Sequence, residues 1–180
     1  RNGRCVIMDH FDPEEFLKTV EREKVTTTFL VPTMIYVLLD HPDLKNYNLE
    51  SLTNIIYGAS AIAPERLKQA LTTFGPIFTQ LFGQTEAPMA FSVLPREDHV
   101  IADPNREREV FASAGRPTFH CEVRLVADDG HDAKPGEPGE IVVRCANMMS
   151  GYYKNPEATA ETIKDGWLYT GDIAKKDAQG

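Results

Sequence analysis

The sequence contains few cysteines, and they follow no recognisable pattern. Cys5, Cys121 and Cys145 are widely spaced and odd in number, so they indicate neither a disulfide framework nor a zinc site. Reduced thiols are the simplest interpretation. None of the five histidines belongs to a metal-binding or nucleophile pattern.

Long apolar runs and an excess of basic residues are also missing. The most apolar stretch, residues 29–39, is too short to span a bilayer and is interrupted by Pro32. Acidic residues outnumber basic ones by 27 to 19, giving a formal net charge of −8. Nucleic acids and anionic membranes require clustered Lys and Arg, so we expect no nucleic-acid partner and no integral membrane segment. Nothing resembles a signal peptide, and a cytoplasmic location is expected.

The first half of the chain alternates short apolar segments with helical patterns. Asp12, Pro13 and Glu15 supply an N-cap, a first-turn proline and a capping-box acid. Further helices are predicted to begin at Pro32 and Pro64. Strands are predicted at residues 5–8, 27–31, 54–57 and 77–82. This order predicts an α/β fold, a parallel sheet with flanking helices, and ligands at the carboxyl ends of its strands.

The second half has short strands separated by turns. Strands are predicted at residues 122–127 and 140–144, with a Gly- and Pro-rich turn region between them. Asn155 is placed to cap a short helix over residues 156–163. This pattern predicts a small antiparallel, barrel-like β subdomain. We therefore expect an α/β subdomain at residues 1–95, carrying the ligand-binding edge, and a β-rich subdomain at residues 96–180.

Two short runs supply the groups that a bound magnesium nucleotide needs. They are LFGQTE at residues 81–86 and GWLYTGD at residues 166–172. They offer an aromatic face, a hydroxyl and two carboxylates. Together they resemble the adenylate-forming acyl-CoA synthetase (AMP-binding) family, whose patterns are aromatic-Gly-x-Thr-Glu and Gly-Trp-x-x-Thr-Gly-Asp. The resemblance covers essentially the whole chain, including GEPGEIVVR from Gly136 and GYYKNPEAT from Gly151.

The resemblance implies a role for each polar residue of these runs. It implies that Phe82, where the family more often has Tyr, stacks on adenine. Thr85 would bind a phosphate oxygen and Glu86 a Mg²⁺ ion, as the catalytic pair, while Asp172 would bind the ribose. Each has a structural alternative: Phe82 could be a core aromatic, and Asp172 could cap its own turn.

Small residues are expected to line the acyl-adenylate site. Gly58, Ala59 and Ser60 match a small-residue stretch of the family, although an ordinary strand-to-helix loop is the alternative. Gly83 and Gln84 complete the nucleotide-binding loop. Family members restricted to very short acids carry Trp at the position of Gly83, so we expect a pocket open to a medium- or long-chain fatty acid or an aryl acid. The alternative is that Gly83 serves only the backbone turn.

The resemblance implies a two-step reaction for the whole protein. A carboxylate attacks the α-phosphate of Mg-ATP to give acyl-AMP, and the thiol of coenzyme A then displaces AMP. The family's Lys-bearing phosphate loop and C-terminal lid domain are not found in the sequence, and Gly180 closes a turn-like ending. We therefore expect an internal piece of a longer enzyme, inactive alone. The alternatives are a peptide-synthetase adenylation unit, a luciferase-like enzyme or a non-catalytic ligand-binding scaffold.

Two aromatic residues and one cysteine bear on local structure. Trp167 and Tyr169 are expected to pack and so hold the turn that contains Asp172. Cys145 stands where the resemblance leads us to expect glycine after the Val-Val-Arg strand, which bears on backbone geometry more than on function.

Overall fold

The computed structural model describes residues 3–178, apart from the side chains of Met89 and Asn105. The helices are α1 (Pro13–Glu23), α2 (Pro32–Leu39), α3 (Pro64–Phe74), α4 (Pro104–Phe111) and α5 (Pro156–Thr162). The strands are β1 (Thr27–Leu30), β2 (Asn54–Gly58), β3 (Phe78–Gln84), β4 (Ala87–Leu94), β5 (Arg116–Pro117), β6 (Cys121–Val126), β7 (Gly139–Cys145), β8 (Ile163–Lys164) and β9 (Trp167–Ala174). Among the helices of this range, none is both long enough and apolar enough to cross a bilayer.

The strands form two sheets. The first has the order β1-β2-β3-β4-β5, with β1 and β2 parallel and β4 and β5 antiparallel. The second has the order β6-β7-β9-β8, and its neighbouring strands are antiparallel. The predicted fold class, an α/β part followed by a small antiparallel β module, is confirmed, although the first sheet is mixed rather than wholly parallel.

The chain folds into two compact units. The α/β unit contains the residues up to Gln80 together with Leu94–Ser113, and the β unit contains Leu81–Val93 together with the residues from Ala114 onward. These units do not follow a single division at residue 95, because Ala87 and Phe91 of β4 belong to the core of the β unit. The division into subdomains at 1–95 and 96–180 stays a prediction.

Helix α1 shows how local sequence builds the α/β unit. The Asp12 carboxylate accepts a hydrogen bond from the Glu15 amide at 2.8 Å, as the capping pattern predicts. One face of the helix buries Phe16, Leu17 and Val20, and this burial is the main stabilising term for an amphipathic helix of this length. The core of the unit is completed by buried residues of α2, α3 and the first three strands, including Ile35, Leu38, Ile55, Tyr57, Leu67 and Phe78.

Several elements differ from the sequence prediction. Residues 5–8 do not form the predicted strand: no described strand pairs with this segment, and Ile7 is 90% exposed. Strands β4, β5, β8 and β9 and helix α4 were not predicted. Helix α4 is strongly charged and contributes only Phe111 to the core, so its apolar periodicity is weak. The expected turn at residues 177–180 ends outside the described residues.

A buried hydrogen-bonded chain lies beside β2. The Nδ1 atom of His99 lies 2.9 Å from the Pro95 carbonyl oxygen, and Nε2 lies 3.0 Å from the Tyr57 hydroxyl. Since a carbonyl can only accept, Nδ1 carries the proton, and neutral His99 accepts from Tyr57 at Nε2. Burial lowers the pKa of His99 below 6.5 and raises the pKa of Tyr57. Both groups are therefore held neutral inside the unit.

This chain predicts a specific pH dependence of stability. The unfolded state protonates His99 near pH 6.5 and the folded state only at lower pH, so the contribution is complete above about pH 6.5 and is lost as the pH falls through the folded-state pKa. We expect His99→Gln to reduce the free energy of unfolding by about 1–3 kcal/mol at neutral pH. The variant should also flatten the decline between about pH 7 and 5. Denaturant unfolding at several pH values measures both effects.

The matched control is His120→Gln, since His120 is exposed and should leave the slope unchanged. A slope in the His99 variant equal to that of the wild type would contradict this account.

Candidate functional site

The LFGQTE run lies where β3 passes into β4. Strand β3 continues through Gln84, so Phe82 and Gly83 lie within the strand rather than after it. Thr85 and Glu86 form the turn. Thr85 is exposed and Glu86 is partly buried. The turn therefore presents a hydroxyl beside a carboxylate, while the roles expected for them in binding phosphate and Mg²⁺ stay a prediction.

The side chain of Gln84 connects this turn to the second motif. Its Nε2 lies 2.9 Å from the Thr170 carbonyl oxygen and 3.1 Å from Oδ2 of Asp172. Both partners accept, so the nitrogen of the amide must face them. Residues 86 to 88 positions apart in sequence are thereby brought together. Sequence reasoning placed Gln84 in the ligand-binding loop but did not identify this bridge.

Residues 170–172 were expected to form a turn, but they lie within β9, where its pairing with β7 has a register shift. Hydrogen bonds to β7 fix this irregular segment. The Thr170 hydroxyl donates to the Ile141 carbonyl at 2.8 Å, and the Gly171 amide donates to Oε1 of Glu140 at 2.9 Å. The φ angle of Gly171 is 77°, in the left-handed region that favours glycine. The Gly171 amide is thus engaged by Glu140. Glu140 is a supporting residue that sequence reasoning missed.

The carboxylate of Glu86 is held by Tyr152. The Tyr152 hydroxyl donates to Oε1 of Glu86 at 2.8 Å, and the Glu86 carbonyl accepts from the Met149 amide at 2.6 Å. The hydrogen bond to Glu86 is the main cause of a raised pKa at Tyr152. Tyr152 was not assigned a role from the sequence. The sequence signal that could have identified it is its position in the GYYKNPEAT block, which matches the family.

Helix α5 sets the position of Tyr152. The Tyr152 amide donates to Oγ1 of Thr159 at 2.9 Å. The preceding Gly151 has a φ of 147°, and an added Cβ would lie only 2.8 Å from Cγ2 of Thr159. Asn155 caps the helix by accepting from the Ala158 amide at 3.1 Å, as predicted. A side chain at position 151 would therefore clash with Thr159, the residue that holds the Tyr152 amide.

These groups surround an open cavity of about 540 Å³ within the β unit. Its lining contains three carboxylates, from Glu86, Glu140 and Glu161, and one lysine, Lys164. The Lys164 ammonium lies 4.6 Å from the centre of the Tyr169 ring. The remaining lining residues are Gln84, Thr85, Tyr152, Thr162, Tyr169, Thr170 and Gly171. A cavity of this size and polarity suits a polar small molecule accompanied by a cation.

A divalent cation at this cavity would need ligands beyond the protein. Among residues 3–178, no group of three or more His, Cys, Asp or Glu side chains is arranged to hold a metal. Glu86 uses one carboxylate oxygen to accept from Tyr152, and an ionised carboxylate has about four acceptor positions. A hard cation bound to Glu86 would complete its shell with phosphate or water oxygens, which is how Mg²⁺ is usually held.

Phe82 and Asp172 are predicted site residues that are not among the described residues lining this cavity. The Phe82 ring is half-buried and packs edge-on against Phe91, with 5.3 Å between ring centres. Part of its surface therefore serves the core of the β unit, and only the remainder is left for the predicted stacking on adenine. Asp172 is exposed and is reached through Gln84.

The expected small-residue stretch belongs to the α/β unit. Gly58 is buried at the end of β2, while Ala59 and Ser60 are exposed. Ala59 has a φ of 67°, in the left-handed region that a residue with a Cβ rarely occupies. Such strain often marks functional segments.

Trp167 packs, as expected, and its contacts are with charged side chains. The guanidinium groups of Arg124 and Arg144 lie over its ring, at 4.9 and 4.5 Å from the ring centre. Arg144 pairs with Glu122 at 2.6 Å and Arg124 with Asp132 at 2.5 Å. Tyr169, expected only to pack, also lines the cavity.

The bond between Tyr152 and Glu86 predicts a measurable titration shift. The pKa of Tyr152 should exceed the ordinary 10.0 because ionisation would place a phenolate against the Glu86 carboxylate. We expect Glu86→Ala to lower this pKa toward 10.0. Carbon NMR of tyrosine labelled at Cζ follows each ring separately.

The control for this titration is Tyr153→Phe, which identifies the neighbouring resonance and leaves the Tyr152 hydroxyl in place. An unchanged Tyr152 titration after Glu86→Ala would contradict the geometry.

The chain is similar in sequence to known proteins over most or all of its length. The family model described as AMP-binding enzyme matches residues 1–153. The chain is 44% identical over its whole length to a medium/long-chain-fatty-acid–CoA ligase, FadD8, of Mycobacterium tuberculosis, and covers 30% of that ligase. It is 39% identical over its whole length to a feruloyl-CoA synthase of Amycolatopsis sp and covers 35% of it.

Solved structures show the same fold. The amide bond synthetase McbA from Marinactinospora thermotolerans matches 96% of this chain with a TM-score of 0.86 and 36% identity, over 34% of its own length. The o-succinylbenzoate coenzyme A synthetase of Bacillus subtilis, in complex with AMP, matches 94% of this chain with a TM-score of 0.78 and 30% identity, over 33% of its own length. The chain thus spans about a third of each of these proteins.

Proposed function

The chain belongs to the AMP-binding enzyme family, and we propose that it forms part of an ATP-dependent acyl-CoA synthetase. In the proposed reaction, a carboxylic acid and ATP give acyl-AMP and pyrophosphate, and coenzyme A then takes the acyl group. The observation that carries the proposal is the bridge from Gln84 to Thr170 and Asp172. It unites the two motifs that the nucleotide requires.

Each residue of the bridged site has a proposed task. We propose that Thr85 binds a phosphate oxygen. We propose that Asp172 binds the ribose, because a carboxylate can accept hydrogen bonds from its hydroxyls. Glu86 would hold Mg²⁺, which supplies positive charge against the phosphates when bound. The half-buried Phe82 would contribute its ring face to adenine. Gln84 keeps Asp172 oriented, and Tyr152 does the same for Glu86.

The charge balance of the cavity supports a metal-bound nucleotide. Three lining carboxylates face one lysine, so a bare triphosphate would be repelled, whereas a bound Mg²⁺ would offset part of this negative charge. Charge stabilisation during adenylation needs further cations. We therefore propose that other parts of the whole protein supply them and that the 180-residue chain alone is inactive.

The acceptor that follows adenylation is proposed from the relatives. Two of the similar proteins are named as CoA ligase or CoA synthase, and coenzyme A is our first choice. The amide bond synthetase McbA also shares the fold of this chain, with a TM-score of 0.86, so an amine acceptor is the second candidate. The described cysteines are free, which accords with the reducing cytoplasm that we propose as its location.

The acyl group is proposed to be a medium- or long-chain fatty acid or an aryl acid. Gly83 lies within β3 and is not among the described glycines with a positive φ. Its backbone therefore does not demand glycine, which weakens the interpretation that it serves only a turn. We propose that the absence of a side chain at Gly83 leaves space for the acyl group, and that the small residues Gly58 and Ala59 do the same.

The two carboxylates should fail in different ways when they are neutralised in the whole protein. Glu86→Gln should raise the Mg²⁺ concentration needed for half-maximal adenylation and slow the step, because it removes a metal ligand. Asp172→Asn should chiefly weaken nucleotide binding, by about 1–3 kcal/mol. Pyrophosphate exchange at varied Mg²⁺ and ATP separates the effects.

The matched control is Glu161→Gln, which removes one negative charge from the same cavity without touching either motif. If all three variants changed ATP and Mg²⁺ dependence equally, the effect would be one of general charge and the assigned roles would be wrong.

The open-pocket proposal predicts a change of substrate range. Each buried methylene contributes about 0.8 kcal/mol, so the wild type should prefer longer or aryl acids over acetate. Gly83→Trp should selectively reduce kcat/KM for those bulky acids. Specificity over a graded carboxylate series measures this.

The control Gly83→Ala tests the backbone alone and should retain the wild-type range. A wild type that prefers acetate, or a folded Trp variant that handles bulky acids unchanged, would rule the open pocket out.

A further inference from the structure

Two of the three cysteines face each other across the second sheet. Cys121 begins β6, Cys145 ends β7, and the two residues are register partners. Directly opposite residues of an antiparallel pair have Cα atoms about 4.5–5.5 Å apart, inside the range of about 4.4–6.8 Å found in disulfides. Both thiols are free. The strand pairing therefore places the two Cα atoms within the range of separations that a disulfide can bridge.

We propose that Cys121 and Cys145 are a modification site, forming a reversible disulfide when the protein meets a small-molecule disulfide. The Cys145 thiolate attacks one sulfur of the oxidant RSSR, which releases one thiol and leaves a mixed disulfide. Cys121 then attacks the Cys145 sulfur and displaces the second thiol. Two protein thiols become one disulfide, and RSSR takes up both electrons and both protons as two RSH.

Exposure decides the order of these steps. Cys121 is 9% exposed, whereas Cys145 is half-buried and meets the oxidant first. Burial, with a smaller effect from Cys121, raises the pKa of the Cys145 thiol to about 11. Little thiolate is then present at neutral pH, so exchange is slow. Cys5 is exposed and serves as an internal standard for a thiol that has no such neighbour in the described range.

Cys145 closely precedes the segment of residues 147–149, which contacts Pro88 and Glu86. The Cys145 amide lies 3.4 Å from Sδ of Met148. The side-chain Nδ2 of Asn147 donates to the Pro88 carbonyl, and the backbone amide of Met149 donates to the Glu86 carbonyl. A bond between Cys121 and Cys145 would therefore fasten the edge strand β6 to the start of this segment. The inference rests on β-unit geometry alone and does not depend on the proposed function.

The test is oxidation of the folded protein with glutathione disulfide at about pH 8.5, where exchange is faster. Alkylation, proteolysis and mass spectrometry then identify the linked peptides. We expect a Cys121–Cys145 peptide link that dithiothreitol reverses, while Cys5 carries glutathione. Cys121→Ala should leave Cys145 as the mixed disulfide.

A parallel oxidation in about 8 M urea controls for the fold, and there the pairing should lose its selectivity. Glutathione on Cys145 without the link in the folded wild type would overturn the proposal. A link that forms equally well through Cys5, or one that persists with the same yield in urea, would overturn it too.

Discussion

The described site depends on one side-chain amide. The Gln84 nitrogen donates to both the Thr170 carbonyl and the Asp172 carboxylate, and these hydrogen bonds join the end of β3 to the irregular segment of β9. Hydrogen bonds to charged partners are the stronger kind. Because both partners can only accept hydrogen bonds, the side-chain amide must turn its nitrogen, and not its oxygen, toward them. The two motifs are therefore held in register before any ligand arrives.

The same principle governs the second carboxylate. Glu86 is held by the neutral Tyr152 hydroxyl rather than by a lysine or arginine. A neutral donor orients a carboxylate without cancelling its charge, so the charge stays available to a cation. Glu140 likewise orients the Gly171 amide and leaves the cavity acidic. The lining thus favours a ligand that arrives with its own positive charge.

Local rules predicted the elements whose signals are local. Asp12 and Asn155 cap the helices expected of them, because a cap depends on residues three positions apart. The strand expected at residues 5–8 needed a partner strand that the described chain does not place there. Helix α4 was missed because its stability comes from tertiary packing of Phe111 rather than from an apolar face.

The sequence motifs proposed residues for the site but did not indicate the hydrogen bonds that connect them. Thr85, Glu86 and Asp172 were identified from motifs. The two hydrogen bonds of Gln84 and the hydrogen bond from Tyr152 to Glu86 have no signature in sequence spacing. Both contacts join positions at least 66 residues apart. Only the folded β unit brings them within 3.1 Å.

The most direct test of this account is a crystal structure of the whole protein with Mg²⁺ and a non-hydrolysable ATP analogue. The account predicts the metal within about 2.1 Å of a Glu86 oxygen, with ribose hydroxyls hydrogen-bonded to Asp172 while Gln84 keeps its two bonds. A nucleotide bound away from both carboxylates, or a Gln84 side chain turned away from Asp172 when the nucleotide is bound, would contradict it.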